Sequence, residues 1–407
     1  MVLAAENQTA KRSLPTGWRW VRLVELCRFV NGDAYKESDW SQQGIPIIRI
    51  QNLNDDSKPF NYWSGGLDDR VVVKPGDVLL AWSGTPGTSF GAHIWNRGLA
   101  VLNQHIFRVD FQSDGISPDW SVIAMNHQLD VLIGKAHGGV GLRHVTKGEV
   151  EALQIPLPPP QEQKRISAIL NEQTAAVERA RTAAEAQLEA AKALPAAYLR
   201  AVFSSEQAET WPKKPVGELC KLLASKSIAT DGDAQVIAVT SACLSEGRFL
   251  TTGVKVARMW AKDVRDCTIA PGEVLIARSN TPELVGRVAM FAGEPKGAVA
   301  SDLTIRLWPA ESIASEFLTA YLSFLYQTGY WKERAGGASG SMKKITREQI
   351  QAEQVPVPQF AEQERIVTIL NKQMASAEQA RKAVEEELDA INKLPAALLR
   401  RAFSGAL

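Results

Sequence analysis

The chain has 407 residues, 45% of them apolar and 22% charged, with a formal net charge of +1. That length exceeds one ordinary domain, and the apolar share supplies real cores, which excludes a chain disordered over most of its length. A net charge near zero does not point to a nucleic-acid partner, yet it excludes none, because local clusters of Lys and Arg matter more than their total.

The opening MVLAAENQTAKRS has no apolar core of signal-peptide length, and no later run reaches about 18 apolar residues, so a cytoplasmic protein without membrane contact is expected. Its Asn7-Gln8-Thr9 matches a glycosylation acceptor, a triplet common by chance and without consequence there. A first globular part, 1–157, shows short apolar strands at 45–50, 71–73 and 78–82, separated by Pro-Gly and Asn-Gly-Asp turns. A spacer, 158–205, follows; its core, 161–194, lacks Gly and Pro and is built from strong helix formers. A second globular part, 206–357, has strands at 274–277 and 303–307, and a second spacer, 358–407, repeats the helical composition over 361–394. Apolar residues recur three and four apart at Ile166, Leu170, Val177, Ala180, Ala184, Ala191 and Leu194, and again at Ile366, Leu370, Ala377, Ala380, Val384, Ile391 and Leu394. Each helix thus carries a narrow seam whose alanines permit close approach, and two matching seams in one chain pack most simply antiparallel. A helix of about 33 residues is on the order of 50 Å long, a spacer of fixed length.

The chain is written twice. IPLPPPQEQKRISAILNEQ, from Ile155, aligns without a gap on VPVPQFAEQERIVTILNKQ, from Val355, and LPAAYLRAVFS, from Leu194, on LPAALLRRAFS, from Leu394. The offset is roughly 200 residues and the repeated piece about 50 residues long. Upstream, VELC ending at Cys27 is answered by GELC ending at Cys220. VVVKPGDVLLAWSGTP, from Val71, is answered by DCTIAPGEVLIARSNTP, from Asp266, and HGGVGLRHVTKGEVEALQIPLP, from His137, by GGASGSMKKITREQIQAEQVPVP, from Gly336. The expected fold is α+β: two strand-rich α/β domains joined by two long antiparallel helices, with an internal two-fold repeat. Two copies of a domain on a rigid spacer suit an extended, repetitive target such as DNA.

These motifs resemble those of Type I restriction specificity subunits. The resemblance is carried by the Pro-x-Pro-Pro-x-x-Glu-Gln-x-x-Ile-x-x-x-Leu helix start at 156–170 and, with Gln359 in place of its third proline, at 356–370, the opening LPTGWRWVRLVELC, the strand-turn elements PGDVLLAWSG and PGEVLIARSN, and the ending LRRAFSGAL. The second domain departs from it, opening with ETWPKKPVGELC, and the first helical repeat ends in FSS where the second ends in FSG. The resemblance implies two target-recognition domains, each reading one half of a split, asymmetric site on double-stranded DNA. It implies paired helices that set the gap and dock two methyltransferase (modification) subunits. S-adenosylmethionine, ATP and magnesium would then belong to partners, namely the methyltransferase and a restriction/motor subunit, with no cofactor in this chain.

The residues offer no chemistry of their own. There is no Asn-Pro-Pro-Tyr or Asp-Pro-Pro-Tyr element and no GxGxxG after a strand. GGVGLRH and GGASGSMKK lack the Gly-Lys-Ser/Thr ending of a phosphate loop. Asp77 and Glu273 follow the Pro-Gly turns but lack the acid and lysine partners of a magnesium nuclease, which leaves them a turn-forming role. The five histidines, His93, His105, His127, His137 and His144, all fall in the first half, which excludes a metal site common to both copies. Cys27, Cys220, Cys243 and Cys267 form no CxxC pair and read as reduced, mostly buried thiols.

Base reading needs forked donors and acceptors on loops, and phosphates are met by Arg, Lys and backbone amides. In the first domain the candidates are Arg49, Gln51 and Asn52; Trp82, Ser83 and Thr85; Asn103, Gln104 and His105; and Arg143, His144 and Lys147. In the second they are Thr240 and Ser241; Arg278, Ser279, Asn280 and Thr281; Arg287; Ser301; and Ser341, Lys343 and Lys344. Arg143/His144 and Lys343/Lys344 stand at matching places behind glycines, which suits phosphate contact, whereas the strand-end position of Trp82 favours packing in the core over stacking on a base. Two other readings fit the residues: a coiled-coil scaffold with protein-binding end domains, and a specificity subunit serving a methylation-only system.

Overall fold

The computed structural model describes residues 14–85, 88–134, 136, 143–229, 231–245, 247–339 and 342–407. It divides into two compact units, Met1–Thr182 with Asp389–Leu407, and Ala183–Leu388.

In the first unit an antiparallel sheet runs in the order Cys27–Asn31, Ile106–Phe111, Val78–Ala81, Gly91–Ile94. The strand Val78–Ala81 is buried along its whole length, as an uninterrupted apolar run requires. Alternate side chains leave opposite faces of a strand. Val78 and Leu80 therefore join a core with Trp120 and Phe107, while Leu79 joins another with Ile48, Val73 and Leu102. A second sheet, ordered Asn61–Trp63, Ile45–Ile48, Ala100–Leu102, Val72–Val73, supplies that other core and contains one parallel pair. The strand Arg19–Arg22 closes the domain against Gln154–Leu157.

The second unit repeats the plan with a longer principal sheet and a shorter second one. Its principal sheet runs Cys220–Leu223, Thr304–Pro309, Val274–Ala277, Val288–Met290, Gly247–Phe249, Leu244–Ser245, and its smaller one Lys255–Met259, Ala234–Val239, Ala298–Ala300. Val274 and Ile276 face one core and Leu275 and Ala277 the other, the alternation seen in the first unit. Lys213–Pro215 closes against Gln354–Pro356. Glu273 does more than shape its turn: besides accepting the Ala270 amide at 2.8 Å, it holds Arg306 through both carboxylate oxygens in a pair almost wholly removed from solvent.

The long helices span Pro160–Phe203 and Phe360–Phe403, 44 residues each, and so overrun the expected ends at 194 and 394. They continue through Pro195 and Pro395 although proline withholds an N–H and crowds the preceding turn. Burial beyond the prolines offsets that cost: Leu199 and Phe203 enter the core of the second unit, and Ala402, with Leu399 and Phe403 against it, that of the first. The seam is narrower than expected. Ile166, Leu170, Val177, Ala184 and Ala191 are buried, as are Ile366, Leu370, Ala377 and Ile391, but Ala180 and Ala380 are exposed, and so is Leu394. Val177, Ala184 and Ala191 repeat every seven residues, and Ala180 falls outside that row.

Within the first unit the start of the first helix lies beside the end of the second: Arg165 donates to the Leu407 carbonyl at 2.9 Å. Within the second unit the end of the first helix, Leu199 and Phe203, shares a core with Ile366 and Leu370 at the start of the second. The helices are therefore antiparallel at both places. Their differing ends have a local cause. Gly405, at φ 77°, takes the left-handed conformation that stops a helix, whereas Ser205 caps a new one by accepting the Ala208 amide. The departure at the second domain's opening is also resolved: Trp18 packs edge-on against Trp120, and Trp211 meets Phe317, on the corresponding helix, in the same manner.

The Glu-Gln of the repeated motif has a structural function. Gln163 is fully buried, accepts the Ser117 amide at 2.8 Å and donates to the carbonyls of Gly115 and Pro158. Gln363 makes the same three bonds, to Ala314, Ser312 and Pro358.

Candidate nucleic-acid interface

In the first domain the strand Ile45–Ile48 ends where Arg49 caps a short helix, Ile50–Asn54, instead of running to residue 50. Asn52 on this helix is completely buried: it accepts the Arg49 amide at 3.1 Å and donates to the carbonyls of Lys58 and Pro59. It therefore fixes the loop and cannot face a base. Arg49 lies over the Trp40 ring at 5.1 Å, and among the described residues its guanidinium has no hydrogen-bond acceptor. Arg49, Gln51, Asn103, Gln104 and His105 line one polar groove of about 600 Å³. The tertiary structure adds Tyr35, Trp40 and Lys58 to its walls, distant in sequence from the strand-turn motifs. Partial burial lowers the pKa of His105, favouring its neutral imidazole, a donor and acceptor at once.

Trp82 stacks on Phe107 at 5.4 Å and meets His105 edge-on at 5.6 Å, so its place is against the core, at the groove's foot. Ser83 is buried, in a two-residue strand, Ser83–Gly84, that pairs with Arg143–His144. His144 is exposed, Thr85 stands exposed in the following turn, and Lys147 forms an exposed pair with Glu151. The side chain of Arg143, and Ser341 entirely, lie outside the described residues.

The second domain builds the same junction. Ser279 pairs with Lys344 and Asn280 with Lys343, so the turn after the central strand again lies beside the segment before the long helix. The amide of Ile345 donates to the Arg278 carbonyl at 2.8 Å as that of Val145 donates to Trp82 at 3.1 Å. Lys344 is exposed, and Lys343, Ser279, Asn280, Thr281 and Ser241 are half-buried. Other candidates are engaged within the domain. The Thr240 hydroxyl donates to Gly253 and accepts from Ala242, Ser301 is buried, and Arg287 donates to the Tyr326 hydroxyl at 3.1 Å. Thr240 and Ser301 thus shape their loops because their polar atoms are already satisfied or enclosed.

Among the described residues no three of His, Cys, Asp or Glu gather where they could hold a metal ion. The four cysteines are buried and free, and burial pushes the thiols of Cys27 and Cys220 up to about 12. Among the described residues no helix is long and apolar enough to cross a membrane.

A duplicated domain, each copy carrying a polar loop face beside the root of a long helix, defines a two-headed recognition protein. The family model for the Type I restriction modification DNA specificity domain matches residues 15–189 and again 208–388. The chain belongs to this family. It is 24% identical to the Type I restriction enzyme EcoBI specificity subunit of Escherichia coli, over 100% of this chain and 89% of that one. To the StySPI specificity subunit of Salmonella potsdam it is 21% identical, over 97% of this chain and 90% of the other. A chain from a solved type I R-M system superposes with a TM-score of 0.72 at 20% identity, covering 97% of this chain and 100% of that chain. The HsdS subunit of Thermoanaerobacter tengcongensis does so with 0.62 at 21%, covering 98% and 99%.

Proposed function

We propose that this chain is the DNA-reading subunit of a Type I restriction-modification complex, in which each globular domain reads one half of a bipartite, asymmetric site. The observation that supports this reading is the junction repeated in both domains, where the turn after the central strand pairs with the segment before the long helix. The 44-residue helices, about 66 Å at 1.5 Å per residue, fix the unspecified gap and dock two methyltransferase subunits. The chain itself is not catalytic: S-adenosylmethionine serves the modification subunits, and ATP with magnesium serves the restriction/motor subunit. Exposed His144, Lys147 and Lys344 contact phosphates, and Arg49, Gln51, Gln104 and His105 face base edges.

Sequencing the methylome of a host that expresses the chain with its modification subunit tests this. A split motif, two specified blocks around a fixed gap, is expected only when the chain is present. An assembled complex that leaves no new motif overturns the proposal in favour of a scaffold.

A further inference from the structure

The two domains are built on one hydrogen-bonding frame, so positions can be matched through the backbone. Trp82 donates its amide to the His105 carbonyl, and Arg278 donates to the Leu303 carbonyl. The residues two before these, Asn103 and Ser301, form equivalent bridges with Asp33 and Lys226. Leu303 therefore occupies the place of His105, and Ile228 that of Tyr35. Where the first domain lines its groove with an imidazole and a phenol, the second presents two aliphatic side chains, 56% and 37% exposed.

Leu303 cannot turn inward to hide. Its carbonyl accepts from the Arg278 amide at 2.8 Å and its own amide meets the Ser301 hydroxyl at 3.4 Å. The preceding Asp302 is tied three ways: its amide to Lys226 at 3.1 Å, its carboxylate to Ser227 at 2.9 Å and its carbonyl to the Arg278 guanidinium at 3.3 Å. A loop clamped in this manner holds an apolar group in water, and Lys226, whose carbonyl accepts the Asp302 amide, and Lys344, paired with Ser279, are exposed as well. On a face that approaches the DNA major groove, the apolar feature available to such a group is the C5-methyl of thymine.

Resting on the DNA-reading function above, we infer that Leu303 is a specificity-determining residue, contacting a thymine methyl in the half-site met by the second domain. The test uses the chain assembled with its modification subunit and duplexes bearing the split motif, each thymine replaced in turn by deoxyuridine. One replacement, in one half-site, weakens wild-type binding about fourfold, the value of one buried methyl group, and Leu303→Ala binds the thymine and deoxyuridine duplexes equally. The inference fails if no replacement weakens the wild type, or if Leu303→Ala keeps the same penalty. It also fails if Leu303→Ala impairs assembly with the modification subunit while discrimination persists, which would make Leu303 a protein contact. A wild-type complex that binds scrambled duplex as tightly as the motif overturns the DNA-reading function itself, and the assignment of Leu303 with it.

Discussion

His93, on the strand Gly91–Ile94, is half-buried, and among the described residues its Nε2 has no hydrogen-bond partner. Burial lowers its pKa below the ordinary 6.5. The folded chain thus holds the neutral ring while the unfolded chain takes up a proton, so stability present above pH 6.5 is lost as pH falls toward and through the lowered value. The melting temperature should drop as the pH falls below 6.5, and His93→Gln should shallow that drop; an unchanged slope would place the titrating group elsewhere. Reading the sequence for polar loop residues found Arg49, Gln51, Gln104 and His105, because forked donors after a strand are visible as a pattern. It also chose Asn52, Thr240 and Ser301, whose side chains bond within their own loops, and Ser83, which is buried in a short strand, and it did not single out Leu303, since an apolar residue in a loop carries no signal until its exposure is known.

At the scale of elements, the repeated Glu-Gln motif was legible as a repeat but not as a joint. Gln163 and Gln363 each bond one backbone amide and two carbonyls, tying the root of a long helix to the loop before the domain's first long surface helix. Gln163→Leu leaves those groups unpaired at a cost of about 2–3 kcal/mol. Because two units need not unfold together, the measurement is local hydrogen exchange. Gln163→Leu should raise exchange around Ser117 and leave residues near Ala314 unchanged, and Gln363→Leu should do the reverse. Equal exchange in wild type and variant would show that the joint is held by other contacts. The helix ends were misread for a related reason. Proline is a fair stop signal where nothing rewards continuation, but Leu199 and Phe203 gain a core by going on.

For the molecule as a whole, the proposed function makes the helices a ruler. A seven-residue insertion at matching points of both preserves the seam and adds about 10.5 Å, close to three base pairs at about 3.4 Å each. The methylome should then show the same two blocks with a gap about three base pairs wider. An unchanged gap would remove the helices from that role. The duplication, the alternation of strand-rich domains and long helices, and the family can be read from the order of residues alone, because repeats and apolar periodicity are properties of order along a chain. Which loop side chains face outward is a property of the folded chain. That depends on which amides and carbonyls a fold leaves unpaired: Asn52 is drawn inward to satisfy Arg49, Lys58 and Pro59, while Leu303 is held outward by Arg278 and Asp302.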